Sequence, residues 1–348
     1  MGNRWKAVSA EHEGEATVDL ESKIQKPKTR IPPAPSPQPL VPSPLAPAPL
    51  LVVGTVAFDS IRTPHGEAEN ILGGAASYFA VAASWFAPVR IVAVVGEDFG
   101  EAELGVFQER AIDTAGLVRA AGKTFHWSGE YLGDMNEART LETQLNVFEQ
   151  FSPRLPGSYL DSDFVFLANI DPVLQLHVLR QIPKARLAGL DSMNYWIKGK
   201  PEELKKALAE VDLLVINETE ARMLSGVSNL KKAAELIRGM GPRTLVIKRG
   251  EHGAMLFSQG GIFSAPAFPL DQVHDPTGAG DSFAGGFMGH LAKAGELSDA
   301  QFRRAVIYGS VMASYAVEEF GLARLLRLTP EEIEIRYREF KKLMHFDA

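Results

Sequence analysis

The residues best equipped for chemistry in this 348-residue chain fall in one run, His274-Asp275-Pro276-Thr277-Gly278-Ala279-Gly280-Asp281-Ser282-Phe283-Ala284-Gly285-Gly286-Phe287. The run opens with turn-forming residues and passes into an apolar helical pattern reaching about Lys293. That places Gly278-Ala279-Gly280 at a helix N-terminus. Glycines let a ligand approach the backbone, and the first N–H groups of a helix have no intrahelical acceptor, so such an end binds anions. Asp281 then stands in the first helical turn. It reads in two ways: as a carboxylate that complements the helix dipole, or as a general base beside the anion pocket. The second reading suits an alcohol that must lose a proton while attacking phosphorus.

The elements that must position this run are short. Leu50–Gly54, Arg90–Gly96, Phe164–Ala168, Leu213–Ile216 and Thr244–Ile247 are continuous apolar runs bounded by Gly, turn or polar residues, and read as buried strands. Helical patterns intervene at Gly74–Trp85, Phe99–Arg110, Pro172–Arg180, Glu218–Leu224 and Leu230–Met240, and a closing amphipathic helix is expected over Pro330–Met344. Apolar strands alternating with helices predict an α/β fold with a mainly parallel sheet covered on both faces. Two segments break the alternation, about 58–72 and 124–148. The second carries His126, Trp127, Tyr131 and Arg139. Both are expected to be strands of a small lid.

Composition narrows the function classes. With 36 Lys+Arg against 43 Asp+Glu, the net charge is -7, and no basic footprint for general nucleic-acid binding is present. Cysteine is absent, which excludes disulfides, Cys-ligated zinc, iron–sulfur clusters and a Cys nucleophile. Apolar runs are too short to span a membrane, and the first residues carry no signal-peptide core. The cytoplasm is the expected compartment. Residues 1–49 end in the run PPAPSPQPLVPSPLAPAP and read as a disordered Pro-rich tail, either a linker or a ligand for an SH3-like partner, before a folded domain over 50–348. No internal repeat is visible.

The segment DPTGAGDSFAGGF resembles the C-terminal signature of the ribokinase/PfkB family of carbohydrate and nucleoside kinases, with Pro276 in a place usually held by Thr. Leu72-Gly73-Gly74-Ala75-Ala76-Ser77-Tyr78 resembles the family's N-terminal Gly-Gly element, and Asp59 stands where a substrate-binding Asp follows the first strand. Gly96-Glu97-Asp98-Phe99-Gly100, Asn217-Glu218-Thr219-Glu220 and Lys248-Arg249-Gly250-Glu251-His252-Gly253 match further family elements in order. The resemblance covers about residues 50–345. It implies a three-layer α/β/α sandwich with a β-strand lid, and transfer of the ATP γ-phosphoryl group to a hydroxyl of a sugar or nucleoside.

The resemblance also implies roles. Asp281 would be the base, and the amides of Gly278, Ala279 and Gly280 the anion hole. Asn217 and Glu220 would organise Mg²⁺ around the phosphates, although alone they read equally as a helix cap. Lys248, Gly250, Gly253 and Thr277 would lie on the nucleotide side, with Asp191 facing the phosphates. Asp275 would lie near a monovalent-cation loop, making K⁺ a candidate ion. Asp59, Gly73, Gly74 and Tyr78 would meet the acceptor, the two glycines acting as a lid hinge. Tyr78 departs from the Asn found in many members. With Phe58, Trp127 and Tyr131 it points to a more aromatic acceptor pocket and keeps a nucleoside kinase in view, leaving the catalytic half untouched. A catalytically silent binding protein on the same fold is a separate alternative, against which the intact Asp281, Gly278-Ala279-Gly280 and Asn217-x-x-Glu220 positions argue. Lid-to-lid pairing would make a homodimer. Gly122-Lys123-Thr124 ends like a phosphate-binding loop, but the required glycine five places earlier is Leu117, and no helix follows.

Overall fold

The computed structural model describes residues 47–133, 135 and 138–345. The tail expected over 1–49 therefore falls outside the described residues, except for 47–49.

Nine strands form the main sheet: β1 (Leu50–Val53), β4 (Val89–Val95), β5 (Asp113–Arg119), β8 (Phe164–Leu167), β9 (Leu187–Asp191), β10 (Leu213–Asn217), β11 (Thr244–Lys248), β12 (Ala254–Ser258) and β13 (Gly261–Ala265). Their order is β13-β12-β11-β10-β9-β8-β1-β4-β5. Every pair from β11 to β5 is parallel, whereas β12 and β13 add antiparallel to the β11 edge. The reason for the continuous apolar runs is visible in β1. Leu50 and Val52 enter one core cluster, and Leu51 and Val53 enter the other, on the opposite face.

Helices α1 (Ala75–Ala83), α2 (Glu101–Glu109), α3 (Pro172–Leu179), α4 (Asn194–Gly199), α5 (Pro201–Leu208), α6 (Glu218–Ser225), α7 (Leu230–Arg238), α8 (Ala279–Ala294), α9 (Asp299–Ala316), α10 (Ala323–Leu326) and α11 (Pro330–Leu343) supply the outer layers. The first cluster takes side chains from α1, α2 and α8–α11, and the second from α3–α7. The three-layer α/β/α sandwich is thus present. β5, β12 and β13 were not foreseen; β5 and β13 are mostly exposed edge strands without a continuous apolar run, whereas β12 is mostly buried and its run Ala254-Met255-Leu256-Phe257 carried the signal.

The lid is a separate four-stranded sheet: β2 (Ala57–Thr63), β3 (Gly66–Gly73), β6 (Phe125–Tyr131) and β7 (Ala138–Gln144), in the order β3-β2-β6-β7. β2 and β6 run parallel, and each outer pair is antiparallel. Strand order reverses direction at β1, whose neighbours are β8 and β4. In open α/β sheets a crevice for ligands forms at such a switch point, beyond the C-terminal strand ends. The lid leaves the main sheet there, and α8 packs over β1 and β8.

Candidate active site

Four elements bring the predicted residues together. Asp191 ends β9, Asn217 ends β10 and Lys248 ends β11, with Asn217 and Lys248 in direct register. Opposite them, Gly278 is the N-cap of α8 in a left-handed conformation, φ 70°. Only a glycine fits: a Cβ here would lie 2.2 Å from Cγ of the Tyr78 ring. Tyr78, 1% exposed, therefore sits beneath the Gly278 turn and does not offer its ring face to the cleft. Its hydroxyl is buried and has no hydrogen-bond partner among the described residues.

Of the three glycine-loop amides assigned to the anion hole, one is already committed. Ala279 N–H donates to the Pro276 carbonyl at 3.2 Å. The first-turn amides that follow, of Gly280 and Asp281, are the ones a helix start leaves facing outward. Lys248 adds a cation to them, because a Cβ on Gly280 would stand 2.7 Å from Nζ. The pocket thus combines helix-end amides and an ammonium beside a carboxylate.

The charges around Lys248 do not balance. Its Nζ lies 3.6 Å from Asp191 Oδ2, and its pKa is governed by burial, which lowers it, and by Asp191, Glu220 and Asp281, which together hold it above its ordinary value. One ammonium cannot compensate three carboxylates. Burial and the Asp191 charge push Asp281 up to about 8, and burial and Asp191 push Glu220 up to about 7. Asp191 is also raised by burial, against Lys248 and the Ser192 N–H.

Asn217 and Glu220 form a reciprocal capping box at the start of α6. Glu220 N–H donates to Asn217 Oδ1 (2.8 Å), and Asn217 N–H to Glu220 Oε2 (2.7 Å). The cap uses one Glu220 oxygen and leaves Oε1 outside it. Among the described residues no three His, Asp or Glu side chains form a metal cage. That set suits Mg²⁺, which is commonly held by one or two carboxylates plus waters and substrate phosphates. An uncompensated acidic cluster at the strand ends is what such a cation relieves.

Asp275 is a tether. Its Oδ1 accepts the Thr277 N–H (2.9 Å), and Oδ2 accepts the Gly321 N–H (3.0 Å). Thr277, expected on the nucleotide side, directs its hydroxyl to the lid instead, donating to Tyr131 Oη at 3.2 Å. Asp59 belongs to lid strand β2. Its Oδ2 accepts the Gly74 N–H (3.3 Å), and a Cβ on Gly73 would lie 1.9 Å from the same oxygen, so the Gly-Gly pair seats this carboxylate. Burial pushes Asp59 up to about 7, against the Gly74 N–H, with Asp275 adding to the rise. Gly250 and Gly253 lie in the β11–β12 turn, where Arg249 pairs with Glu218 at 2.6 Å.

Three features were not foreseen: the Asp191–Lys248 pair, the Thr277–Tyr131 bond and the root of the lid. At that root Thr124 Oγ1 donates to Asp98 Oδ1 (2.6 Å) and accepts the Gly96 N–H (2.9 Å). The Gly122-Lys123-Thr124 stretch is thereby tied to the Gly96–Asp98 turn at the start of β6. None of the three carries a local sequence signal, since each joins residues more than 25 positions apart.

Comparison with known proteins agrees with this geometry. Residues 49–327 match the pfkB family of carbohydrate kinases. The chain is 30% identical to a cytidine kinase of Thermococcus kodakarensis over 257 residues, 72% of this chain and 91% of that protein. It is 26% identical to a ribokinase of Staphylococcus aureus over 285 residues, covering 76% and 88% respectively. In fold it is similar to the crystal structure of aminoimidazole riboside kinase from Salmonella enterica complexed with aminoimidazole riboside and an ATP analogue. The TM-score is 0.67, at 21% identity, over 83% of this chain and 99% of that one. With a family match across most of its length and the fold to carry it, the chain belongs to the pfkB family of carbohydrate kinases and is a phosphotransferase of the sugar and nucleoside kinase class.

Proposed function

We propose that the protein transfers the γ-phosphoryl group of ATP to a hydroxyl of a sugar or sugar-like alcohol, with Asp281 as general base. The observation that carries this reading is the meeting of Asp281, the α8 first-turn amides and Lys248 at one point. The acceptor O–H gives its proton to the Asp281 carboxylate as its oxygen bonds to the γ-phosphorus. The bond from that phosphorus to the β,γ-bridging oxygen breaks, and ADP leaves with the electron pair. Charge on the transferring group is met by the Gly280 and Asp281 N–H groups and the Lys248 ammonium. Mg²⁺, held through Glu220 with Asp191 nearby, would supply charge neutralisation on the phosphates. Asp59 faces the acceptor. The Asp275 tether marks the loop where K⁺ would act.

A nucleoside acceptor is the second reading, favoured by the similarity to a cytidine kinase over nearly that protein's whole length. Pairing of two lids is supported by β7, an edge strand exposed along all seven residues. Measuring ATP consumption over sugars, polyols and nucleosides, with Mg²⁺ and K⁺ present and Asp281→Asn as blank, tests the reaction. Turnover on one acceptor that vanishes in the Asn variant is expected. Equal turnover in both proteins would overturn the role of Asp281.

A further inference from the structure

The lid carries an indole held in one orientation beside the acceptor carboxylate. Trp127 of β6 is the direct register partner of Asp59 of β2. Opposed residues on paired strands share a face and stand about 4.8 Å apart across the ladder, so both project from the same side of the lid sheet. Tyr131, four residues further along β6, shares that side and takes the Thr277 hydroxyl at the mouth of α8. The face bearing Asp59, Trp127 and Tyr131 is therefore the one turned to the helix end that carries Asp281.

Two contacts fix the indole. A Cβ on Gly129 would lie 2.3 Å from Trp127 Cη2 and Cζ2, so the ring lies flat along its own strand, over a residue that must lack a side chain. The Nε1–H donates to Thr140 Oγ1 at 3.2 Å, on β7. Thr140 is the register partner of Gly129, and so presents its hydroxyl on the same face. The ring is pinned at its six-membered edge and at its nitrogen. One of its faces covers Gly129 and the opposite face is turned away from the strand.

We infer that Trp127 is a stacking platform for a flat heteroaromatic ring, and that the acceptor is a nucleoside. This rests on the kinase reading above and names the substrate class of the same site. A free hexose needs polar partners around most of its rim. The lid face offers one carboxylate, a phenol already bonded to Thr277, a Thr140 hydroxyl already bonded to the indole, the short side chain of Thr143 at the edge strand, and a rigid apolar plane. That set matches a ribose diol on Asp59 and a base on the indole. Stacking on an aromatic face tolerates any base, so the platform selects the class and leaves the choice of base to other contacts.

The test uses the full-length protein saturated with Mg²⁺ and a non-hydrolysable ATP analogue, so that the nucleotide site is filled. Cytidine, uridine, adenosine, inosine, ribose, fructose, glucose and myo-inositol are titrated by tryptophan fluorescence and calorimetry. At least one nucleoside is expected to bind ten times more tightly than any free sugar. Trp127→Leu should weaken it about ten- to hundredfold, and Trp127→Phe should retain most of the affinity. Affinity for the ATP analogue should stay unchanged in both. Thr140→Val, which unpins the ring without removing it, should weaken the nucleoside a few fold and covers the case of a Leu variant that fails to fold. A free sugar or polyol bound as tightly as every nucleoside, no bound nucleoside, or a folded Leu variant within twofold of wild type would overturn the inference. Asp281-dependent turnover on a plain sugar alone would sink the nucleoside assignment while leaving the kinase reading standing. Turnover that survives Asp281→Asn would sink the kinase reading instead.

Discussion

Asp281→Asn should remove turnover and, without ligands, make the protein more stable at alkaline pH. In the folded chain this carboxyl is pushed from 3.8 to about 8, first by burial and then by the Asp191 charge, with Lys248 opposing. The sign follows from linkage. Between those two values the unfolded chain has released the proton and the folded chain has kept it, so stability falls as pH rises through that window. The full gap corresponds to roughly 6 kcal/mol at 1.36 kcal/mol per unit. The carboxyl is only half-buried and shares Lys248 with two other acids, so less than half of that, about 2–3 kcal/mol, is expected to be recovered. Asn keeps the shape and cannot ionise. For a domain of this size that is about 4–8 °C in Tm, measured at pH 8.5 with EDTA present, shrinking as pH falls and close to nothing at about pH 3, below both values. Loss of the base should lower kcat by roughly 10²–10⁴-fold, and in the wild type kcat/KM should climb as pH rises toward the raised pKa. An Asn variant that melts below wild type at pH 8.5, or that keeps its turnover, would refute the account of Asp281 as a strained base.

Gly278→Ala places a Cβ 2.2 Å from the Tyr78 ring at φ 70°. Left-handed strain and overpacking together should cost roughly 2–5 kcal/mol and abolish turnover. Gly280→Ala meets only the flexible end of Lys248 and should cost far less; thermal melts of the pair decide it. Tyr131→Phe removes the acceptor of the Thr277 hydroxyl, worth about 1 kcal/mol. Turnover should fall about fivefold with the melting temperature nearly unchanged, and a drop in stability without a kinetic effect would argue against a lid-to-loop link. Asn217→Ala deletes the α6 cap for about 1 kcal/mol and should raise KM for Mg–ATP while the acceptor KM holds, as initial-rate kinetics would show.

The division between what local sequence and what packing determine is clear at individual residues. Apolar runs such as Leu50–Val53 and Leu213–Ile216 specify buried parallel strands, because both faces of such strands lie under helices. Gly278 and Asp281 could be placed at a helix start because turn residues and apolar periodicity are local properties. Asn217 and Glu220 could be read as a cap for the same reason, and the cap is there. β13 and β5 are another matter. They are edge strands of the main sheet, paired on one side only and exposed at most of their residues, so no continuous apolar run marks them.

The tertiary structure alone decided which way the side chains turn and what charge they carry. Thr277 and Tyr131 are 146 positions apart, and nothing in either segment announces that the lid is bonded to the loop before α8. Tyr78 reads in sequence as an acceptor contact, yet its ring is the floor under Gly278. Lys248 alone reads as an ordinary surface charge. It becomes a cation set among Asp191, Glu220 and Asp281 only because three parallel strands end side by side facing the start of α8. Sequence fixes residue types and local geometry through short-range sterics and periodicity. The field that raises those carboxyl groups is a sum over charges gathered from distant segments, and it exists only once the chain has folded.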